Sequence, residues 1–70
     1  MAMSRKHYRE VAEIIRAEIH LDRPLTKHDR DTFDDADAIY NIASALATMF
    51  KCDNSLFNRA QFMAACNIEE

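Results

Sequence analysis

The chain contains no glycine, no tryptophan and a single proline among its 70 residues. Glycine and proline supply most of the tight turns that join neighbouring strands, so their scarcity argues against a β fold built from hairpins. Alanine, acidic residues, arginine and isoleucine are prominent instead, and this composition favours helix. We therefore predict an all-α fold, in the form of a compact three-helix domain.

Long apolar runs are also missing. No stretch approaches the roughly 20 apolar residues that span a bilayer, and no signal peptide is recognisable at the N-terminus. We therefore expect a soluble, unsecreted protein with no membrane partner and with its two cysteines reduced. Residues 1–70 are expected to form a single helical domain, small enough that a second copy in a homodimer would add useful stability.

The first predicted helix begins with Ser4 as its N-cap and runs to about His20. Apolar residues recur along it at spacings of three and four, which places them on one face of a helix. Ile14 falls off this face and is expected to be partly exposed. The residues predicted to face the core are Tyr8, Val11, Ala12, Ile15 and Ile19.

Pro24 breaks the first helix, because proline lacks a backbone donor and restricts the residue before it. Thr26 or Asp29 can cap a second helix that we expect to continue to Lys51 as the long central element. Its later half is apolar around much of its circumference, so it should contact more than one neighbour, and a symmetry mate could be one of them. These apolar positions are Ala36, Ile39, Tyr40, Ile42, Ala43, Leu46, Ala47, Met49 and Phe50.

A short third helix carries start and stop signals of its own. Asn58 as N-cap can accept from the Gln61 N–H, while the Gln61 amide reaches back in a capping box. Phe57 and Phe62 occupy the two positions of a hydrophobic staple. Asn67 is placed to end the helix in a left-handed conformation, with Ile68 folding back towards the preceding turn.

The two ends of the chain resemble a group of very small phage and prophage proteins. The matching residues are Lys6-His7-Tyr8 near the start and Asp53-Asn54-Ser55-Leu56-Phe57-Asn58, Phe62, Ala65 and Cys66 near the end. Ser55 stands where that group commonly has proline, and Asn67 where it commonly has glycine. The resemblance implies phage origin and a setting in the host cytoplasm, without implying an activity.

Acidic residues cluster at the start of the second predicted helix. The spacing does not fit an EF-hand loop, whose sixth and twelfth positions counted from Asp29 would fall on Asp34 and Tyr40 in place of glycine and glutamate. Aspartates at a helix start are favoured by the helix dipole, which is the simplest interpretation, with metal binding or catalysis the weakest one. The interpretation that ranks between these two is a partner-binding patch formed by Asp31, Asp34, Asp35 and Asp37.

Histidine and cysteine offer no site of recognisable spacing. His7, His20 and His28 do not form a zinc motif with one another or with the cysteines, so we expect no metal, no cofactor and no catalytic residue. Cys66 is predicted to be a small buried residue, and Cys52 is left open between core and surface. The larger apolar side chains are predicted to form the core, namely Phe33, Tyr40, Met49, Phe50, Phe57, Phe62 and Met63.

These observations favour a non-enzymatic protein that binds a host or phage protein, using the acidic patch. A small DNA-binding regulator is an alternative, with Arg59 and Gln61 at the start of the last helix, but nucleic acid is an unlikely partner because the remainder of that helix is apolar. A minor structural component of the phage particle is the other alternative.

Overall fold

The computed structural model describes residues 5–70, and this part of the chain contains four helices. These are α1 (Arg5–Ala17), α2 (Lys27–Thr32), α3 (Asp34–Asp53) and α4 (Arg59–Ala65). The all-α prediction is confirmed, since the described residues form no strand and pair only in one isolated β-bridge. The predicted Ser4 cap lies outside the described residues.

The predicted central helix is divided in two at Phe33. Thr26 caps α2, and Phe33 then adopts an extended conformation with φ −117° and ψ 123° before α3 begins. The Phe33 N–H still closes α2 by donating to the Asp29 carbonyl, at 2.8 Å. The next residues, Asp34 and Asp35, suit a new first turn because the helix dipole favours acidic side chains there. The long element of the prediction is therefore α3 alone, preceded by a separate short helix.

The first helix is shorter than predicted, ending at Ala17, so His20 lies beyond it. Its C-terminal end tightens, because the Glu18 and Ile19 N–H groups donate to the backbone carbonyls three residues earlier, those of Ile15 and Arg16. The predicted inner face is otherwise confirmed, since four of its five residues are buried and Val11 is partly buried. Ile14 is exposed.

Four aromatic rings form the centre of the core where α1, α3 and α4 meet. The rings of Tyr8 and Phe57 pack edge to face with centroids 4.8 Å apart, and Phe50 contacts Tyr8 at 4.9 Å. Phe62 lies 5.5 Å from both Phe50 and Phe57. Tilted and edge-on pairs at these distances are favourable beyond the apolar area that they bury. This cluster holds the short C-terminal helix against α3.

The Asn58 cap and the aromatic staple at the start of α4 follow the prediction, whereas the return hydrogen bond of the predicted capping box, from the Gln61 side chain, is not among those of the described residues. The Gln61 N–H donates to the Asn58 side chain at 3.0 Å, and Phe57 and Phe62 form the staple. Its end forms a Schellman motif, in which the Ile68 N–H donates to the Met63 carbonyl at 3.0 Å. Asn67 has the left-handed φ of 64° that this motif requires.

The C-terminal tail pairs with the segment before α2, which the sequence did not indicate. The Leu25 N–H donates to the Asn67 carbonyl at 2.9 Å, and the Glu69 N–H donates to the Leu25 carbonyl at 2.8 Å. The Asn67 amide also reaches the Arg23 carbonyl. The end of α4 is thereby joined to the loop that positions the start of α2.

Two of the side chains predicted for the core are instead on the surface. Phe33 is 55% exposed because it lies at the break between α2 and α3, and Met49 is 55% exposed on the outward face of α3. Tyr40 is half-buried, with the Arg30 guanidinium 3.7 Å above its ring. The other four predicted residues, Phe50, Phe57, Phe62 and Met63, are buried.

Candidate functional site

One aspartate of the acidic cluster is buried and has a structural role. Asp29 is 1% exposed and accepts from both terminal nitrogens of Arg23, with the longer contact at 2.8 Å. It also accepts from the backbone N–H and the hydroxyl of Thr26, each at 2.9 Å. The Asp29 N–H donates in turn to the Thr26 hydroxyl, which completes a capping box around the start of α2.

These hydrogen bonds favour the charged form of Asp29. The Arg23 guanidinium, followed by the donors of Thr26, holds the pKa of this carboxyl well below its usual range. The same pairing raises the pKa of Arg23. Because its lone pairs are already engaged in the fold, Asp29 is not available to a partner.

The four aspartates predicted to bind a partner are all exposed. Asp31 lies in α2, and Asp34, Asp35 and Asp37 lie in the first turn of α3. Within residues 5–70, none of them forms an ion pair with a basic side chain. Among the described hydrogen bonds of these four side chains, the one present is to Asp37, from the Asn41 amide at 3.3 Å. Their carboxylates are therefore exposed to solvent, that of Asp31 on α2 and the other three in the first turn of α3.

Phe33 stands between these aspartates in the chain, and its side chain is exposed, which the sequence prediction missed. It is the N-cap residue of α3, yet it provides no side-chain hydrogen bond to the free N–H groups of the first turn. Serine, threonine, aspartate and asparagine are the residues that stabilise this position. We call the surface formed by Asp31, Phe33, Asp34, Asp35 and Asp37 the acidic–aromatic surface.

Arg59, the basic residue predicted for the DNA-binding alternative, forms hydrogen bonds within the protein. The Arg59 guanidinium donates to the Ser44 hydroxyl and to the Glu70 carboxylate, both at 3.0 Å. The Glu70 carboxylate, which also accepts from the Tyr40 hydroxyl, raises the pKa of Arg59. Arg59 thus links the C-terminal tail to α3. Because its guanidinium is engaged in these hydrogen bonds, Arg59 is poorly placed to contact phosphate.

Two open grooves flank Leu56, whose side chain is 89% exposed. One, of about 730 Å³, includes Lys51 and Cys52 in its lining, and the other, of about 450 Å³, includes Arg5 and Arg9. Among the described residues lining the first groove, none is a histidine or a carboxylate that could deprotonate the Cys52 thiol. The described lining of this groove therefore does not pair the Cys52 thiol with a histidine or carboxylate base.

The two cysteines differ in environment. Cys52 is exposed, which decides the point that the sequence left open, and Cys66 is buried as predicted. Burial raises the pKa of the Cys66 thiol to about 11, so this side chain is protonated at neutral pH. Across residues 5–70 no group of three histidine, cysteine or acidic side chains is placed to hold a metal ion.

Comparisons with models of protein families, with curated proteins and with solved structures find no match to this chain. None of the helices in the described part of the chain is long and apolar enough to cross a membrane.

Proposed function

We propose that this protein has no enzymatic activity and acts by binding another protein through the acidic–aromatic surface. The partner is a host or phage protein met in the host cytoplasm, in line with the resemblance of the chain ends to small phage proteins. The complementary surface would carry lysine or arginine side chains around an apolar pocket that accepts the Phe33 ring.

The exposed ring of Phe33 is the observation that carries this proposal. With an aromatic N-cap, the start of α3 lacks the side-chain hydrogen bond that a polar residue would make there. Departures from local stability rules of this kind are expected at functional positions. Aromatic side chains are also enriched among the residues that contribute most to protein–protein affinity. The ring is therefore suited to be the anchor of the interface.

The surrounding carboxylates would contribute mainly to the rate and the selectivity of association. Exposed charges steer a partner of opposite charge and disfavour one of like charge, while adding little affinity individually. This attraction is screened by salt. Binding through this surface should therefore weaken as ionic strength rises, with the larger effect on the association rate.

Capture from a lysate of the expected host tests the proposal, using the tagged protein with and without nuclease. We expect a single partner that survives nuclease and is lost with the Asp34→Asn/Asp35→Asn double variant. The same partner should be lost with Phe33→Ser, which removes the ring but supplies a favourable N-cap and so preserves α3. Circular dichroism checks that both variants keep their helicity.

A matched control is the Glu10→Gln/Glu13→Gln variant, which removes two exposed acidic side chains from α1 and should still capture the partner. Unchanged capture by both the aspartate and the Phe33 variants would contradict the proposed surface. Recovery that disappears with nuclease would instead favour the DNA-binding alternative, and co-purification with virions would favour a structural role in the particle.

A further inference from the structure

The helix α3 has a second apolar stripe, on the side away from the core. Its members follow one another at spacings of four and three residues, the repeat that forms the seam of a coiled coil. Ile42 is 58% exposed and Met49 is 55% exposed, and the smaller members are exposed as well. We call this the outer seam, formed by Ala38, Ile42, Ala45, Met49 and Cys52.

The outer seam is separated from the core by the geometry of the helix. At 100° per residue its five members fall within an arc of about 80°, centred about 150° from the direction of the buried residues. Those buried residues of α3 are Ala36, Ala43, Ala47 and Phe50. One helix therefore presents two distinct apolar faces, only one of which the described part of the chain covers.

Charge is absent along this part of α3. The thirteen residues from Ala38 to Phe50 include no acidic or basic side chain, although charged residues make up 30% of the chain. Charged residues resume at both ends, with Asp37 on one side and Lys51 on the other. Depletion of charge at the centre with a polar rim is the composition of a protein interface.

We propose that the outer seam pairs with the outer seam of a second copy of this chain, with the two α3 helices antiparallel. The reason is the alternation of side-chain size. When Ile42 of one copy faces Ala45 of the other, the same register places Met49 opposite Ala38. Every large side chain then meets a small one, and the two-fold axis repeats each contact. Such pairing lets two helices approach closely without a cavity.

The size of the seam determines how stable this dimer is. From Ala38 to Cys52 the seam extends about 21 Å at 1.5 Å per residue. A contact of this length between two single helices covers less than the roughly 800 Å² per partner of a standard interface. The dimer should therefore dissociate on dilution, with monomer prevailing at low concentration.

The charges at the ends of the seam neither favour nor oppose the pairing strongly. In the antiparallel register Lys51 and Asp53 of one copy lie at the same end as Asp34, Asp35 and Asp37 of the other. Repulsion between the aspartates is therefore offset by attraction to Lys51. Raising the salt concentration should change the dimer little, whereas it should weaken partner binding through the acidic–aromatic surface. The two proposals are thus distinguishable.

Sedimentation velocity over a range of concentrations up to about 1 mM tests the dimer. The expected result is a rise from the mass of the 8.1 kDa chain towards twice that mass. Ala45→Glu places a charge at the centre of the seam and should keep the protein monomeric. Ile14→Glu, a change at an exposed apolar residue of α1, should leave the association unchanged. A wild type that stays monomeric at the highest concentration, or an Ala45→Glu variant that still dimerises, would overturn the proposal.

Disulfide cross-linking tests the orientation of the helices. The proposed register places Asp35 of one copy opposite Cys52 of the other and separates the two Cys52 residues by about 26 Å along the axis. Mild oxidation should therefore cross-link the Asp35→Cys variant into a dimer and leave the wild type uncross-linked. Adding Cys52→Ser to the variant should abolish the cross-link. Efficient cross-linking of the wild type through Cys52 would indicate parallel helices and would overturn the proposed register.

Discussion

The starts of α2 and α3 lie seven residues apart and are both rich in aspartate, yet they are built differently. At α2, Thr26 and Asp29 satisfy one another in a capping box, and Arg23 covers the buried carboxylate. At α3, Phe33 offers no cap and its neighbouring aspartates face solvent. At the start of α2 the polar groups are hydrogen-bonded to one another. The start of α3 instead leaves an aromatic ring and several carboxylates exposed to solvent.

This difference shows that residue type alone does not assign a role to an aspartate. Asp29 and Asp31 are two positions apart in one short helix, where such residues point in different directions. Asp29 faces the loop before α2 and meets Arg23, while Asp31 faces water. We therefore attribute a stabilising role to the first helix start, and recognition remains our proposal for the second.

The largest effect on stability should come from Asp29→Asn. The substitution removes the charge that accepts from Arg23 while keeping the shape of the side chain, and it leaves a buried amide facing a guanidinium. We expect a fall in the urea midpoint, followed by the ellipticity at 222 nm, that exceeds the fall caused by Thr26→Ala. Asp31→Asn is the matched control and should leave the midpoint close to that of the wild type. Equal falls in the urea midpoint for Asp29→Asn and Asp31→Asn would contradict the structural role assigned to Asp29.

The next prediction concerns pH. Because the pKa of Asp29 is lowered by folding, its contribution to stability is present above its ordinary value of 3.8 and is lost as the pH falls from there towards the lowered pKa. The difference in urea midpoint between wild type and Asp29→Asn should therefore be constant near neutral pH and should narrow below about pH 4. Asp31→Asn should follow the wild type through the whole range. A difference that stayed constant down to about pH 2 would contradict the role of the charge.

A smaller effect is expected for Thr26→Ala, which removes the N-cap of α2 and one donor to Asp29. Loss of a threonine cap costs about 1 kcal/mol, measurable by urea denaturation. Thr26→Ser retains the hydroxyl and should restore most of this stability. Thr48→Ala is the comparison in α3, where the hydroxyl only donates to the Ser44 carbonyl within the same helix. If Thr48→Ala lowered the free energy of unfolding as much as Thr26→Ala, the stabilising role assigned to the cap of α2 would be contradicted.

Much of the fold followed from local patterns. The cap at Asn58, the staple of Phe57 and Phe62 and the left-handed Asn67 were predicted because each depends on residues within one turn of the others. The break at Phe33 was not predicted, since apolar and acidic residues on either side are compatible with one continuous helix. The exposure of Phe33 and Met49 could not be read from composition, because a long apolar helix does not indicate which of its faces the rest of the chain will cover.

The sequence by itself determined the helical class, the ends of α4 and the inner face of α1, because short-range hydrogen bonds and helical periodicity depend only on neighbouring residues. Only the tertiary structure decided that Asp29 is buried with Arg23, and that the C-terminal tail pairs with Leu25. It also decided that residues 5–70 leave one apolar face of α3 exposed. These features join residues distant in the chain, and a contact between such residues depends on how the helices pack.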